Sequence, residues 1–339
     1  MGMNPKENYL NCLQHKETEY TPVVAADCAN IGFGIVSGPW FEKGPEGGGL
    51  DAFGIKWVCP ASGGGAAMAD TTILPPLNID NFLHWRDIVK IPNVNDFDWD
   101  AVSAEEWKKC RYDPKMQALN YGCGNGIFER LATLMGFEDA LMSLVEEPEE
   151  VQAFFEELTD YKIAIARKVK DYFHPDSFTN YDDIATEKGP FVSREAYRKL
   201  IKPYHKRLHN AVKELDMIPI QHTCGYFQDY IEDMIDTGVE GWTSVQPTND
   251  IRKILQEYGD RITIMGGYDS NGKPARADAS LEERFAEVQR CIDTYGKYDG
   301  FMLFIVVLVN SMDPAEKAAA MMPLIQEALR LRNRNRRIK

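Results

Sequence analysis

From about residue 151 onward, apolar residues alternate between two spacings. Spacing of three and four over Val151–Tyr172, Arg194–Leu215, Phe227–Thr237, Leu281–Tyr295 and Pro314–Leu331 predicts amphipathic helices. Between them lie short apolar runs bounded by Gly, Asp or Asn: Ser177–Tyr181, Ile218–His222, Gly241–Val245, Ile262–Met265 and Gly300–Val309. These read as strands, and strand following helix at this interval implies parallel β/α units. With no glycine-rich dinucleotide fingerprint in the chain, the pattern favours an α/β fold of the TIM type, a (β/α)8 barrel, over a doubly wound sheet.

The first third is written differently. Residues Ala25 to Asp100 are rich in Gly, Pro, Asp and Trp and show little periodicity, with glycine clusters at Gly44–Gly49 and Gly63–Gly65. A long irregular stretch in a compact protein predicts an elaborated loop region or lid. Helical order resumes at Phe128, and Phe128–Val145 reads as one amphipathic helix. No internal repeat or linker divides the chain. The expected organisation is a single barrel domain over 1–339, with elaboration and lid in 1–125 and the main repeats in 126–339.

Composition narrows the function classes. The chain is 44% hydrophobic and 27% charged, an ordinary globular usage, and its formal net charge is −14. That charge argues against nucleic acid or an anionic membrane as partner. The basic tail from Arg330 to Lys339 reads as a solvated helix end. The seven cysteines, Cys12, Cys28, Cys59, Cys110, Cys123, Cys224 and Cys291, are odd in number and lack paired spacing, which does not suit a disulfide framework. No secretory segment opens the sequence, and its longest apolar run, Phe301–Val309, is too short to span a bilayer. A reducing, cytoplasmic setting is expected.

In a barrel of this kind, polar residues at strand ends are the first candidates for chemistry. They are Asp182 and Asp183, His222 and Cys224, Gln246, Tyr268 and Asp269, and Asn310 and Ser311. His222-Thr-Cys224-Gly225 is the sharpest. Residues two apart on an extended strand face the same side, so an imidazole and a thiol would converge, a pair suited to zinc. The alternative is a hydrogen-bonded buried histidine beside an inert cysteine. Of the adjacent Asp182 and Asp183 only one should enter the site, as general acid/base or third metal ligand; the other would cap a helix. Gly122-Cys-Gly-Asn-Gly126 precedes a helix and either cradles an anion on its N–H groups or simply forms a tight turn. Trp40, Trp57, Trp85 and Trp99 either line a pocket or pack.

Several of these blocks resemble the uroporphyrinogen decarboxylase-like superfamily. Asn180-Tyr-Asp-Asp-Ile-Ala-Thr, His222-Thr-Cys-Gly, Val245-Gln-Pro and Met265-Gly-Gly-Tyr-Asp follow in that superfamily's order. Its decarboxylases carry an early arginine-bearing segment that holds substrate carboxylates; Thr21-Pro-Val-Val-Ala-Ala-Asp has no arginine. The His-x-Cys-Gly block instead resembles the zinc motif of the corrinoid-dependent methyltransferase branch. Asp51-Ala-Phe-Gly-Ile-Lys-Trp, Trp85-Arg-Asp-Ile-Val-Lys-Ile-Pro and Phe128-Glu-Arg-Leu-Ala-Thr-Leu-Met-Gly resemble O-demethylase methyltransferases within it.

The resemblance implies an enzyme that moves a methyl group from a methoxylated aromatic to the cobalt(I) of a corrinoid carried by a partner protein. Zinc would sit on His222, Cys224 and either Asp182 or Asp183, with Tyr181, Gln246, Tyr268 and Asn310 toward substrate. The thiol- and pterin-using relatives supply a further cysteine from the last strand, where Phe301–Val309 has none. A carboxylate in its place makes a harder ion, better matched to an ether oxygen than to a thiol. Transfer from methylated corrinoid to tetrahydrofolate or a thiol, and non-catalytic tetrapyrrole binding, are the competing readings. A homodimer is left open.

Overall fold

The computed structural model describes residues 2–32, 49–58, 68–307, 309, 311 and 313–334. Seven parallel strands form the central sheet, in chain order: β1 (Cys28–Ile31), β2 (Ala118–Cys123), β3 (Ser177–Tyr181), β4 (Ile218–His222), β5 (Gly241–Val245), β6 (Thr263–Gly267) and β7 (Phe301–Phe304). Val23 makes a parallel bridge to Leu303, whose N–H donates to Pro22 O at 2.9 Å, so the segment ahead of β1 meets the last strand and brings the sheet's edges together. Among the described residues this single bridge stands where an idealised eight-stranded barrel has its remaining strand.

The N-terminal helix, Pro5–Leu13, closes the amino ends of the strands. Its Tyr9, Cys12 and Leu13 pack on Ala118, Ile220, Met265 and Met302, and Thr263 Oγ1 donates to Cys12 O at 2.7 Å. With that end plugged, the carboxyl ends of the strands are the open face, where Tyr181 and His222 stand in register.

Helix boundaries follow local chemistry. Ser280 and Glu283 form a capping box at the start of Leu281–Tyr295, and Asp313 caps Pro314–Leu331 with proline in its first turn. The segment expected as one helix over Phe128–Val145 is two, Ile127–Met135 and Phe137–Glu146. Gly136, at φ +81°, breaks it in a conformation a side chain would resist. Arg194–Leu215 is interrupted by a π-helical turn at Tyr197–Ile201; Pro203 has no N–H to continue the regular ladder. Among the described residues of the expected strand Gly300–Val309, those that pair are Phe301–Phe304. No described helix is long and apolar enough to cross a membrane.

The first third contributes more order than its composition suggests. It supplies β1 and a small antiparallel sheet of Gly49–Leu50, Lys56–Val58 and Met68–Ala69. That sheet is fastened to the helix Ile127–Met135 by an ion pair with both side chains fully buried: Arg130 Nη1 to Asp51 Oδ2 at 2.6 Å. Asp51 also accepts from the N–H groups of Phe53 and Ile55 and from Trp57 Nε1, each at 2.9 Å, while the guanidinium lies 4.0 Å above the Phe53 ring. Breaking such a pair strands a buried charge, so Asp51→Ala should lower unfolding free energy by about 3–5 kcal/mol. Urea unfolding of wild type and variant measures this directly; an unchanged midpoint would mean the pair anchors nothing.

Candidate functional site

β3 and β4 end side by side, and their last residues carry the site. The Tyr181 and His222 rings lie 4.4 Å apart between centroids, tilted by 31°. Two residues beyond β4's end, Cys224 turns its Sγ to 3.3 Å from His222 Nε2. Gly225 follows at φ +82°, its Cα so close to Thr186 O that a side chain would collide. Asp183 approaches from β3. Its Oδ1 is 3.9 Å from His222 Nε2 and accepts the Cys224 N–H at 2.7 Å. The donor atoms of Asp183, His222 and Cys224 all lie within 4.8 Å of one another.

The adjacent Asp182 goes the other way. It is fully buried, accepts the Glu129 N–H at 2.9 Å and the Phe128 N–H at 3.3 Å, and has His205 Nε2 at 2.7 Å. Its backbone spans both strands: the N–H donates to His222 O at 3.1 Å, and the carbonyl accepts from Thr223 Oγ1 at 2.6 Å. The N–H groups that meet this anion, the chain's own Asp182, are those of Phe128 and Glu129 in the helix after the run Gly122–Gly126; within the run the Gly126 N–H donates to Tyr181 O. A Cβ on Gly126 would overlap the Asp182 side chain. Asp182 is not placed to join His222 and Cys224 as a metal ligand, because its carboxylate is spent on a helix N-terminus and His205.

Behind His205 sits His209, whose Nδ1 is 2.9 Å from Thr237 Oγ1. Burial, with His205 beside it, holds the His209 imidazole down at about 3. Lys162 is buried nearby and donates to Gly124 O at 2.8 Å and Asn125 O at 2.6 Å; burial pulls it down to about 7 despite Asp182. Neither was flagged in the sequence, since each lies within a helical repeat that reads as packing.

Two cavities meet at Tyr181 and His222. One, of about 520 Å³, is the barrel interior, with Tyr9 at its floor and Asn30, Asn120, Thr179 and Gln246 on its walls. The other, about 500 Å³, is a lateral cleft lined by Trp57, Phe128, Glu129, Phe137, Asp183 and Phe191. Gln246 lines the interior, accepting from Gly225 N–H at 2.8 Å and donating to Ser270 and Asn271. Tyr268 does not. It packs into the core with its hydroxyl on Pro274 O at 3.0 Å. Asn310 and Trp40 lie outside the described residues. Trp85 and Trp99 are core residues whose indole N–H groups satisfy Glu150 and Val94 O; of the described N-terminal tryptophans considered, Trp57 alone lines either cavity.

The donor set fits a zinc ion. Nitrogen, sulfur and carboxylate oxygen are its usual ligands, and bonds of about 2.0–2.3 Å in a tetrahedron set donors roughly 3.3–3.8 Å apart. The His222–Cys224 and His222–Asp183 separations bracket that spacing. Burial, then the charges of Asp183 and Glu129, push the Cys224 thiol well above its ordinary value. A cation would reverse that balance and make the thiolate favourable.

Two expectations follow. Elemental analysis should find about one zinc per chain, lost in His222→Ala with the fold retained; a wild type that binds none would remove the metal. Separately, His209 stays neutral in the fold while the unfolded chain binds a proton, so it should cost stability as pH falls from 6.5 toward 3. His209→Gln should flatten that acid limb, by up to roughly 4 kcal/mol, in unfolding curves measured across the range; an unchanged limb would contradict it.

A family model described as "Uroporphyrinogen decarboxylase (URO-D)" matches residues 114–328. The methylcobamide:CoM methyltransferase MtbA of Methanosarcina acetivorans is 30% identical over 129 residues, spanning 37% of this chain and 37% of that protein. A solved methyltransferase from Methanosarcina mazei superposes with a TM-score of 0.65 at 15% identity, covering 96% of this chain and 99% of its own, which is a likeness of fold. With more than half its length matched by the family model, the chain belongs to the uroporphyrinogen decarboxylase family.

Proposed function

We propose that the protein is a corrinoid-dependent methyltransferase, the component of an O-demethylase that takes the methyl group from a methoxylated aromatic. The observation that carries this reading is the Asp183–His222–Cys224 cluster at the mouth of a small-molecule-sized cavity. Similarity to MtbA over part of the chain supports corrinoid chemistry.

The methyl–oxygen bond breaks, the methyl carbon passes to the reduced corrinoid of a partner protein, and the bonding electron pair stays on the oxygen. That oxygen leaves as a phenoxide and takes a proton from solvent. A zinc bound by Asp183, His222 and Cys224 would supply Lewis acidity toward the ether oxygen. The chain's own residues supply position. The Asp182 anchor fixes both strand ends, Tyr181 packs on the His222 ring, and the barrel interior receives the ring of the substrate away from bulk water.

A second reading, transfer from a methylated corrinoid to a thiol, is favoured by the similarity to MtbA, a methylcobamide:CoM methyltransferase. The carboxylate ligand and the absence of cysteine from Phe301–Val309 favour the ether. Following the cobalt spectrum with methylated corrinoid plus thiol, and with reduced corrinoid plus aryl ether, separates the two directions. Cys224→Ala should reduce ether demethylation by about 100- to 1000-fold with far-UV dichroism unchanged; retained turnover would exclude that residue from the reaction.

A further inference from the structure

We propose that the barrel cavity selects methyl ethers whose aromatic ring carries no charge; the inference rests on the ether reading above and narrows its substrate class. The described residues lining the interior include no Arg, Lys, Asp or Glu. Asn30, Asn120, Thr179, Gln246, Ser270 and Asn271 in its wall are neutral dipoles engaged with one another. Asn120 Oδ1 accepts from Ser177 and Thr179 hydroxyls at 2.8 and 3.0 Å, and its Nδ2 donates to Asn30 Oδ1 at 2.9 Å. Gln246 is held by Gly225, Ser270 and Asn271.

Among the described residues, the buried cations Arg130 and Lys162 and the partly exposed Arg290 are committed to other partners. Arg130 pairs with Asp51, Lys162 faces the carbonyls of Gly124 and Asn125, and Arg290 binds Glu287 and Gly267 O. A ring carboxylate entering this cavity would shed its hydration and meet no positive side chain among the described residues. Its approach is unfavourable too, since Asp183 and Glu129 line the adjoining cleft. A neutral ring loses little on entry and meets the apolar faces of Tyr9, Val24, Met265 and Phe304.

The test compares guaiacol with its para-carboxylate, vanillate, on the zinc-loaded protein. Thermal shift reads binding, and demethylation with free cob(I)alamin as acceptor reads turnover. Guaiacol should raise Tm and be demethylated, with kcat/KM for vanillate lower by at least about 100-fold and no shift from it. Asn30→Lys, which sets a cation in the cavity wall, should raise relative use of vanillate by at least about tenfold. Equal or preferential binding of vanillate by wild type would overturn the inference, as would binding of neither ring. Binding of guaiacol alone without demethylation would leave the charge selectivity standing and overturn the reaction assigned above.

Discussion

One buried carboxylate organises the site. Asp182 has no exposed surface, and its two oxygens are filled by the N-terminus of the helix Ile127–Met135 and by His205. An uncompensated charge there would be prohibitive, so helix, histidine and strand end are held as one unit. Because its own N–H and carbonyl bond to His222 and Thr223, the same residue also locks the ends of β3 and β4 together. Its neighbour is then turned to the opposite side. Asp183 reaches His222 and Cys224 as a consequence of where Asp182 is fastened, and Gly126 is required because any side chain there would displace the anchor.

Two further constraints shape the space around that cluster. The plug helix Pro5–Leu13 closes the barrel's far end and makes Tyr9 the floor of the interior cavity. The Asp51–Arg130 pair draws the small antiparallel sheet onto the helix that caps Asp182, which sets Trp57 into the lateral cleft. The cluster thus stands between a neutral chamber inside the barrel and an aromatic cleft beside it. This is an arrangement in which a small ring and a second, larger reactant can approach one point from different sides.

The sequence made some of this legible for physical reasons that can be traced. Ser177–Tyr181, Ile218–His222 and Gly241–Val245 are strands over the expected residues, because each follows a strongly amphipathic helical repeat within a few residues. β1 and β2 escaped notice because their inward positions, Asn30 and Asn120, are polar cavity walls, which erases the apolar run that marks a buried strand. Convergence of His222 and Cys224 followed from alternation along an extended chain. Alternation also required the two aspartates to part company, but not which would go inward; that depended on a helix N-terminus and a histidine far away in the chain. Gly136 lay inside a strong helical pattern, and only its positive φ distinguishes a break from a tolerated glycine.

The central claim is that Cys224, His222 and Asp183 together hold a metal. X-ray absorption at the zinc edge of the purified, zinc-loaded protein tests it most directly. The account predicts a sulfur scatterer at about 2.3 Å beside nitrogen and oxygen at about 2.0–2.2 Å, with the sulfur lost in Cys224→Ser. A shell of nitrogen and oxygen alone, or a zinc environment unchanged by that substitution, would contradict it and leave His222 and Cys224 as a hydrogen-bonded pair.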